Sequence, residues 1–557
     1  MSLTRQSFEA AWPHLDAGMR APVARAYLRG DLELWCLTCL PEWFPAPWSP
    51  VHRALLDAPK LPWRQRQGQR MEAYIAPRGS AKTTLAGKAD ILHDAIYGFE
   101  ACTLVLSTTA ADAEALVASM HGLLRRRTPS SAVLHDLYGP FDLTGPATRW
   151  VLRCPTNPHG CEVSAESMRA SVRGHQFGVI RPTKVVMDDI VHPQHVNSPT
   201  ERMRDWMFLN DDVLKCGDVG TIFRLLNTTL HPDDAPSRVQ REPRWRVRKW
   251  RALEGWPVRQ DLWEECRALW SRLEDAEEVE VASGYYEPRR LVNARAFYAE
   301  HRDEMHQGVT SVLWPARRPL FDLMVAYWTD PAAFYRSDLN DPRDPTSRFF
   351  VPEAFHRCRW SDNWLERQDA KGGAVARWHL SQLEIAIFHD RAKGGAHNDY
   401  PATAVVAKDP HGYRYVLDVV LDREPTSGQR ARIWRLWERY RGAARVVVGA
   451  DDTAQTELFA GESWERDQAE RRRAGRAWNL AVQSVIFGEE KGARIKSLEP
   501  DCLNGWLLFA LGLREDVFGM FRDFPSGAND DAPDAIQAAC WMLGGAMPTV
   551  AWHGRGG

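Results

Sequence analysis

The chain has 557 residues, of which 44% are hydrophobic and 26% charged, and its formal net charge is −2. This length exceeds what one hydrophobic core supports, so we expect two or three domains. The near-neutral charge excludes attraction of a polyanion by the chain as a whole, and such a partner would have to meet local patches. No apolar run reaches about 18 residues, so no membrane span is expected. Among the ten cysteines only Cys36 and Cys39 form a C-x-x-C pair, and no second pair or nearby histidine pair accompanies it, which disfavours a zinc site and favours free thiols in a reducing cytoplasm.

The first 45 residues show an amphipathic helical pattern and predict an N-terminal helical segment. A stiff connector rich in Pro and Trp follows at residues 43–50. A helix then begins at His52, in a segment that either packs in the core or contacts an adenine base.

A strand, a loop of small residues and a helix come next, and together they predict a phosphate-binding loop. The strand is Met71-Glu72-Ala73-Tyr74-Ile75, and the loop is Ala76-Pro77-Arg78-Gly79-Ser80-Ala81-Lys82-Thr83. Backbone N–H groups at the start of the helix attract phosphate oxygens, Lys82 would reach the β- and γ-phosphates of ATP, and Thr83 would bind Mg2+. Ala76 and Ala81 stand where glycine is usual, so an ordinary strand–turn–helix is the alternative.

Two further strands support the loop. The buried strand Cys102–Thr109 precedes the helical pattern of residues 110–127. The apolar strand Thr183–Ile190 ends in Asp188 and Asp189, as a Walker B element does. Asp188 would hold Mg2+ through water, and Asp189 would orient or deprotonate the attacking water. A later strand, residues 222–229, ends in polar residues that fit a γ-phosphate sensor.

The second half of the chain predicts a different fold. Strands at 383–390, 399–407 and 413–421 form a meander, and a helix over 429–440 and a strand over 445–452 follow. This order matches a ribonuclease H-like α/β fold.

Acidic residues stand at the first strand, the fourth strand and a late helix of that fold: Asp390, Asp451 and Asp534 with Asp531. Carboxylates that converge from separate elements can hold two Mg2+ or Mn2+ ions for phosphodiester hydrolysis. Asp452 competes with Asp451, and Asp530 and Asp531 compete with Asp534, which is preferred. Basic residues near this site could follow a DNA backbone: Arg471, Arg472, Arg473, Arg476, Lys491, Arg494 and Lys496.

Taken in order, these motifs resemble those of phage terminase large subunits over residues 50–540. The resemblance rests on the loop 76–83, Leu106-Ser107-Thr108-Thr109, Arg173-Gly174, the strand to Asp189, the run Asn227 to Asp234 and, in the second half, Asp390 with Gly394-Gly395, Asp399-Tyr400, Lys491 to Ile495 and residues 521–536.

The resemblance implies the following roles. Arg78 stabilises the transferred phosphoryl group, and Asn227, Thr228 and Thr229 couple hydrolysis to movement. The chain pumps double-stranded DNA into a procapsid and cuts concatemeric DNA. Its partners are the portal, a small terminase subunit and further copies of itself in a ring, expected to be a pentamer, in the cytoplasm of a host bacterium and transiently on the procapsid.

The predicted domains are the helical segment 1–45, a P-loop ATPase of the ASCE type with a mostly parallel sheet over 46–325, a linker over 326–375 and the nuclease over 376–557. A helical lid is expected at about 240–310, including the acidic run from Glu274 to Glu278. Two alternatives stand beside this interpretation. One is a P-loop helicase or repair ATPase with a structural, inactive C-terminal domain, and the other is a non-enzymatic prophage remnant.

Overall fold

The computed structural model describes residues 17–170, 172–196, 198–342, 349–368, 373–390, 401–421, 425–452, 454, 458–476, 479–525 and 529–544. Within this part of the chain the strands form an eight-stranded sheet, a nine-stranded sheet and two small two-stranded sheets. Among the described residues no helix has the length and apolar character that crossing a bilayer requires.

The eight-stranded sheet lies in the N-terminal half. Its strands are β1 (Arg70–Ile75), β2 (Cys102–Ser107), β3 (Asp142–Thr144), β4 (Arg149–Cys154), β5 (Asn157–Ser167), β6 (Lys184–Asp188), β7 (Ile222–Asn227) and β8 (Arg246–Lys249). Their order is β3-β4-β5-β2-β6-β7-β1-β8. The strands from β5 to β8 pair in parallel, and β3 and β4 add an antiparallel edge.

The strand order confirms the predicted ASCE class of P-loop fold. β7 lies between β1, which leads into the phosphate loop, and β6, which ends at Asp188. Because all three strands are parallel, their carboxyl ends meet at one edge of the sheet, where ligands bind in open α/β sheets.

Apolar residues on alternate positions of these strands enter two cores. Val185 and Met187 face one core with Phe208, whereas Val186 faces the other with Leu92. Burial on both faces explains why these strands read as continuous apolar runs.

Helices cover both faces of this sheet. The α-helices are Ala17–Leu28, Leu32–Cys39, Pro50–Leu56, Asp90–Tyr97, Ala110–Arg125, Ala132–Tyr138, Pro199–Phe208, Leu214–Cys216 and Ala235–Val239, and π-helical turns span Thr83–Ala89 and Leu209–Val213. In the described part of the segment before residue 45, the helices are Ala17–Leu28 and Leu32–Cys39.

A buried ionic network fixes the helix Asp90–Tyr97 to the sheet. The Lys184 ammonium on β6 lies 2.6 Å from Asp94 and also pairs with Asp90. Arg224 on β7 binds Asp90 at 2.5 Å and Glu72 at 3.2 Å. These five side chains are almost wholly buried. The positive charges lower the pKa of Asp90 despite its burial.

The segment after β8 combines helices with small sheets. It contains β9 (Leu253–Glu254), β10 (Glu278–Ala282), β11 (Tyr285–Pro288) and β12 (Ser311–Val312), and the helices Gln260–Trp270, Arg289–Glu300, Arg302–Met305, Leu320–Thr329 and Pro331–Ala333, with a π-helical turn at Phe334–Asp338. The lid is thus not purely helical. The helix from Gln260 ends at Trp270, and the acidic run leads into the hairpin of β10 and β11.

The nine-stranded sheet lies in the C-terminal half. Its strands are β13 (Arg357–Ser361), β14 (Trp364–Gln368), β15 (Ala374–His379), β16 (Glu384–Asp390), β17 (Ala402–Lys408), β18 (Arg414–Leu421), β19 (Arg445–Asp451), β20 (Gln483–Val485) and β21 (Leu507–Ala510). Their order is β15-β14-β13-β21-β18-β17-β16-β19-β20.

The ribonuclease H-like prediction is confirmed by five of these strands. β16, β17 and β18 form an antiparallel meander, β19 pairs in parallel with β16 on the other side, and β20 pairs in parallel with β19. The C-terminal helices are Thr426–Tyr440, Gly461–Arg473, Lys491–Lys496, Leu498–Leu503, Glu515–Asp523 and Asp531–Met542.

Part of the predicted linker, 326–375, belongs to this second sheet. β13 and β14 form an antiparallel hairpin, and β13 pairs in parallel with β21. The best predicted linker stretch, Asn340 to Pro345, is described only to Pro342, and its remainder lies outside the described residues.

Candidate functional site

The loop after β1 has the backbone of a phosphate-binding loop. Gly79 has φ 73° and Ala81 has φ 56°, both left-handed. A Cβ on Gly79 would meet nothing within 4 Å, so its backbone conformation is what favours glycine there. Ala81 takes the same conformation with a side chain, which costs about 1–2 kcal/mol.

Residues from the loop and from β6 meet where the sequence predicted. The Thr83 hydroxyl donates to the Asp188 carboxylate, with its oxygens at 2.8 and 2.9 Å. The Lys82 ammonium lies 3.5 Å from Asp189 Oδ1 and 3.4 Å from the Thr228 hydroxyl. Lys82 and Asp188 are buried, whereas half of the Asp189 side chain is exposed.

Two observations fit this pocket to a phosphate and a divalent cation. The Ser80 hydroxyl is buried and has no hydrogen-bond partner among the described residues. Burial, with the neighbouring Asp189 charge, raises the pKa of Asp188 to about 6. A cation held by Thr83 and Asp188 would remove this electrostatic cost.

The end of β7 contacts the loop directly. Asn227 accepts the Ile190 N–H at 2.9 Å, and the Thr228 hydroxyl donates to the Ala76 carbonyl at 3.1 Å. The Thr229 N–H donates to Asn340 Oδ1 at 3.0 Å. The three predicted coupling residues therefore join the phosphate loop, the strand of Asp188 and the segment that leads to the second sheet.

Arg78 lies at the exposed side of the loop. Its backbone N–H donates to the Ser337 carbonyl at 3.3 Å. Burial raises the pKa of Asp338, and the charges of Arg318 and Arg78 offset part of that rise. The guanidinium is thus within electrostatic reach of the segment after the lid.

His52 supports the loop from behind and was not assigned this role from sequence. Its Nε2 donates to the Ser80 carbonyl at 2.8 Å, and its Nδ1 accepts the Ser49 N–H at 2.9 Å. The ring is buried against Trp48 and Trp314. Only the Ser-Pro-x-His capping pattern hinted at a fixed ring, and the burial supports packing over contact with adenine.

A second cluster forms at the carboxyl end of β16. The carboxyl groups of Asp390, Asp451 and Asp534 come together from β16, β19 and the helix Asp531–Met542. Burial, the Asp534 charge and the Asp451 carboxyl raise the pKa of Asp390 well above its usual range. Three carboxylates packed this way form a donor set suited to Mg2+ or Mn2+.

Two cations from one short helix neutralise part of this cluster. Arg494 lies 2.6 Å from Asp534 and 2.8 Å from the amide oxygen of Gln537. The Lys491 ammonium lies 3.5 Å from Asp534 and 2.7 Å from Asp530. The sequence marked both only as DNA-backbone candidates.

The competing acids make different contacts. Asp452 accepts from the Ser484 hydroxyl at 2.9 Å, whereas the Asp451 carboxyl acts on Asp390. The Lys491 ammonium lies 2.7 Å from Asp530 and 3.8 Å from Asp531. Gly394-Gly395 and Asp399-Tyr400, which contributed to the family resemblance, lie outside the described residues.

The other predicted basic residues lie apart from this contact. Arg471 pairs with Glu438 and stacks over Trp434 at 4.1 Å, and Lys496 lies over Phe349 at 4.6 Å. Arg471 therefore packs its stem on the protein while its helix stays accessible.

Fold and sites together define the class: a P-loop NTPase domain joined to a ribonuclease H-like domain with a carboxylate cluster. No family model matches the chain, and no curated protein sequence matches it.

Comparison with solved structures finds large terminases. The large terminase of a thermophilic bacteriophage is 8% identical, with 89% of this chain and 98% of that chain covered and a TM-score of 0.40. The HK97 bacteriophage large terminase is 13% identical, with 94% and 99% covered and a TM-score of 0.32. The nuclease domain of the Thermus phage P74-26 large terminase is 16% identical, with 35% and 94% covered and a TM-score of 0.22. Each belongs to the family that the sequence motifs resemble.

Proposed function

We propose that this chain is the large subunit of a viral DNA-packaging terminase. ATP hydrolysis in the N-terminal domain drives double-stranded DNA into a procapsid, and the C-terminal domain cuts concatemeric DNA. The observation that carries this proposal is that one chain contains both a phosphate loop next to a Walker B-type aspartate and a separate cluster of three carboxylates. One is built around Lys82 and Asp188, and the other around Asp390.

The carboxylate cluster favours this proposal over a helicase or repair ATPase with a structural C-terminal domain. Burying Asp390, Asp451 and Asp534 against one another is electrostatically costly. A purely structural domain would be destabilised by this repulsion without any benefit. A metal-dependent nuclease needs the clustered carboxylates as metal ligands. The same argument opposes a non-enzymatic remnant.

In the ATPase site each residue has a defined task. Lys82 and the backbone N–H groups of the loop bind the β- and γ-phosphates, and Thr83 and Asp188 hold Mg2+. A bound Mg2+ neutralises charge on the phosphate oxygens. Asp189 orients and deprotonates the attacking water, and Arg78 stabilises the transferred phosphoryl group.

Coupling to movement uses the end of β7. Thr228 touches both Lys82 and the Ala76 carbonyl, so its hydroxyl is placed to respond when the γ-phosphate leaves. Thr229 passes a displacement to Asn340, which also donates to the Trp250 carbonyl at 2.9 Å. Asn227 holds the backbone next to Asp189 in register.

In the nuclease site Asp390, Asp451 and Asp534 hold two Mg2+ or Mn2+ ions, with Asp531 as the alternative on the same helix. Ions held by these carboxylates would supply an activated water and would stabilise negative charge on the leaving oxygen. Lys491 and Arg494 balance the carboxylates in the absence of DNA and can turn towards its phosphates, which gives affinity without sequence choice.

The partners follow from the proposed role. They are double-stranded DNA, the portal, a small terminase subunit and further copies of this chain in a ring, expected as a pentamer. The proposed location is the cytoplasm of the host bacterium and, transiently, the procapsid.

Two single substitutions test whether the sites are separate. Lys82→Ala should abolish ATP hydrolysis while plasmid nicking in Mn2+ persists, because Lys82 belongs to the phosphate-loop site. Asp390→Ala should abolish nicking while ATP hydrolysis persists. Surviving ATPase activity in the first variant would refute the phosphate-loop assignment, and unchanged nicking in the second would support the structural C-terminal domain.

A further inference from the structure

A second cluster of metal-ligating side chains lies in the N-terminal domain, away from both proposed sites. Cys102 is the first residue of β2, and Glu162 is its register partner on the neighbouring strand β5. His175 lies in the connection between β5 and β6. One ligand atom of each residue lies within 4.8 Å of the other two. The spacing of the cysteines in the sequence gave no sign of this site, because its three ligands come from three separate segments.

The cluster is enclosed by protein. Cys102 is fully buried, and only 7% of the side chains of Glu162 and His175 is exposed. His175 Nε2 lies 3.3 Å from Glu162 Oε1 and 2.9 Å from the Ser164 hydroxyl. This geometry places the imidazole nitrogen beside the carboxylate oxygen.

One oxygen of Glu162 lacks the hydrogen bond that a buried carboxylate needs. Oε2 accepts from Arg149 Nε at 3.2 Å, whereas the buried Oε1 has no hydrogen-bond partner among the described residues. Buried polar atoms are almost always satisfied, so this oxygen, which makes the 3.3 Å ion-pair contact with His175 but no hydrogen bond among the described residues, can accept a further ligand.

We propose that Cys102, Glu162 and His175 bind a divalent transition-metal ion of the zinc type. A thiolate, an imidazole and a carboxylate are the donors that Zn2+ takes, with bonds of about 2.0–2.3 Å, and a water molecule completes the tetrahedron. The ligand atoms lie up to 4.8 Å from one another, so these distances would shorten by about 1 Å when all three atoms bind one ion.

The site stabilises the fold and takes no part in nucleotide chemistry. Cys102 is at the amino end of β2, and the phosphate loop is at the carboxyl end of the parallel strands. A metal ion here ties β2 and β5 to the crossover, which then enters β6 and ends at Asp188.

Cobalt(II) titration of the full chain tests the site. The purified protein is freed of metal with a chelator under reducing conditions and titrated with Co2+. We expect one equivalent to bind with a thiolate-to-cobalt charge-transfer absorption, which Zn2+ abolishes by displacement. The two carboxylate-based sites are built without a thiol ligand, so Co2+ bound there gives no such band.

Variants assign the ligands. Cys102→Ala should remove the band, His175→Gln should weaken Co2+ affinity by about tenfold or more, and Cys266→Ala, a buried thiol outside the cluster, should leave both unchanged. His175→Gln changes a loop residue, so it remains informative if Cys102→Ala does not fold. Absence of the band in the folded wild-type chain, or its persistence in Cys102→Ala, would overturn the proposal and leave a simple ion pair of His175 with Glu162.

Discussion

At the scale of single residues, the phosphate loop holds an alanine where the backbone favours glycine. Ala81→Gly should stabilise the ATPase domain by about 0.5–1 kcal/mol, because relief of the left-handed strain exceeds the added freedom of the unfolded chain. Gly79→Ala should destabilise it by a similar amount, since no neighbour crowds that position and only the backbone changes. Thermal unfolding should show shifts of opposite sign, and shifts of the same sign would contradict the assigned loop conformation.

The competing acids of the nuclease site give a second prediction at this scale. Asp451→Asn and Asp534→Asn should lower Mn2+-dependent nicking by about 100-fold or more, because each removes a metal ligand. Asp452→Asn should retain activity within a few-fold, and it serves as the isosteric control at the position next to Asp451. Nicking rates on supercoiled plasmid measure the effect. Loss of activity in Asp452→Asn with full activity in Asp451→Asn would show that Asp452 is the metal ligand in place of Asp451.

His52 makes stability depend on pH. Burial lowers the pKa of His52 to about 4, and its Nδ1 already accepts a hydrogen bond, so the folded state holds the ring neutral. As the pH falls, the His52 ring is protonated in the unfolded chain first, near pH 6.5. The contribution of His52 to the free energy of unfolding is therefore complete above pH 6.5 and is lost as the pH falls towards 4. The slope is at most about 1.4 kcal/mol per pH unit. The denaturant midpoints of the wild type and of His52→Gln should differ more at pH 7 than at pH 4.5. A difference that is the same at both pH values would contradict this prediction.

At the scale of elements, the buried ionic network fixes the helix behind the phosphate loop. Lys184→Met should destabilise the domain by about 3–5 kcal/mol, because it leaves Asp90 and Asp94 short of a partner in a buried setting. Lys215→Met removes an exposed pair with Asp211 and should cost under about 0.5 kcal/mol. Denaturant unfolding compares the two, and equal effects would show that burial does not govern the network.

Some strands and their position at the candidate sites could be predicted from the sequence. Strands such as Lys184–Asp188 and Glu384–Asp390 are apolar runs that end in acids, so their pattern predicted both their burial and their place at the site. Their parallel pairing then brought Asp188 to Thr83 and Asp451 to Asp390 as expected.

Other features depend on contacts between distant segments and left no local pattern. The hairpin of β13 and β14 is rich in Arg and Trp and lies within the predicted linker 326–375. Its partner strand β21 is far along the chain, so no local pattern reveals the pairing. His52, Lys491 and the Cys102 cluster acquire their roles only through tertiary contacts.

At the scale of the whole molecule, the lid and the second sheet share one core. Trp270 packs on Trp506 at 5.2 Å, and Trp506 Nε1 donates to the Ser271 carbonyl at 2.8 Å. Asn504 donates to the Trp328 carbonyl at 2.7 Å. The segment after β8 therefore packs directly against the second sheet.

The phosphate loop meets the same connecting segment from the other side. The contacts of Arg78 with Ser337 and of Thr229 with Asn340 join the nucleotide site to the chain that leads into β13. The residues around the phosphate loop are thus hydrogen-bonded to the connecting segment at Ser337 and Asn340.

The central claim is that one chain carries an ATP-driven DNA motor and a metal-dependent nuclease. The most direct test measures ATP hydrolysis with and without double-stranded DNA, and plasmid nicking with Mn2+, on one purified sample. We predict that DNA stimulates ATP hydrolysis and that nicking requires the metal. ATP hydrolysis that DNA leaves unchanged, or a sample that hydrolyses ATP and never nicks DNA, would contradict the account.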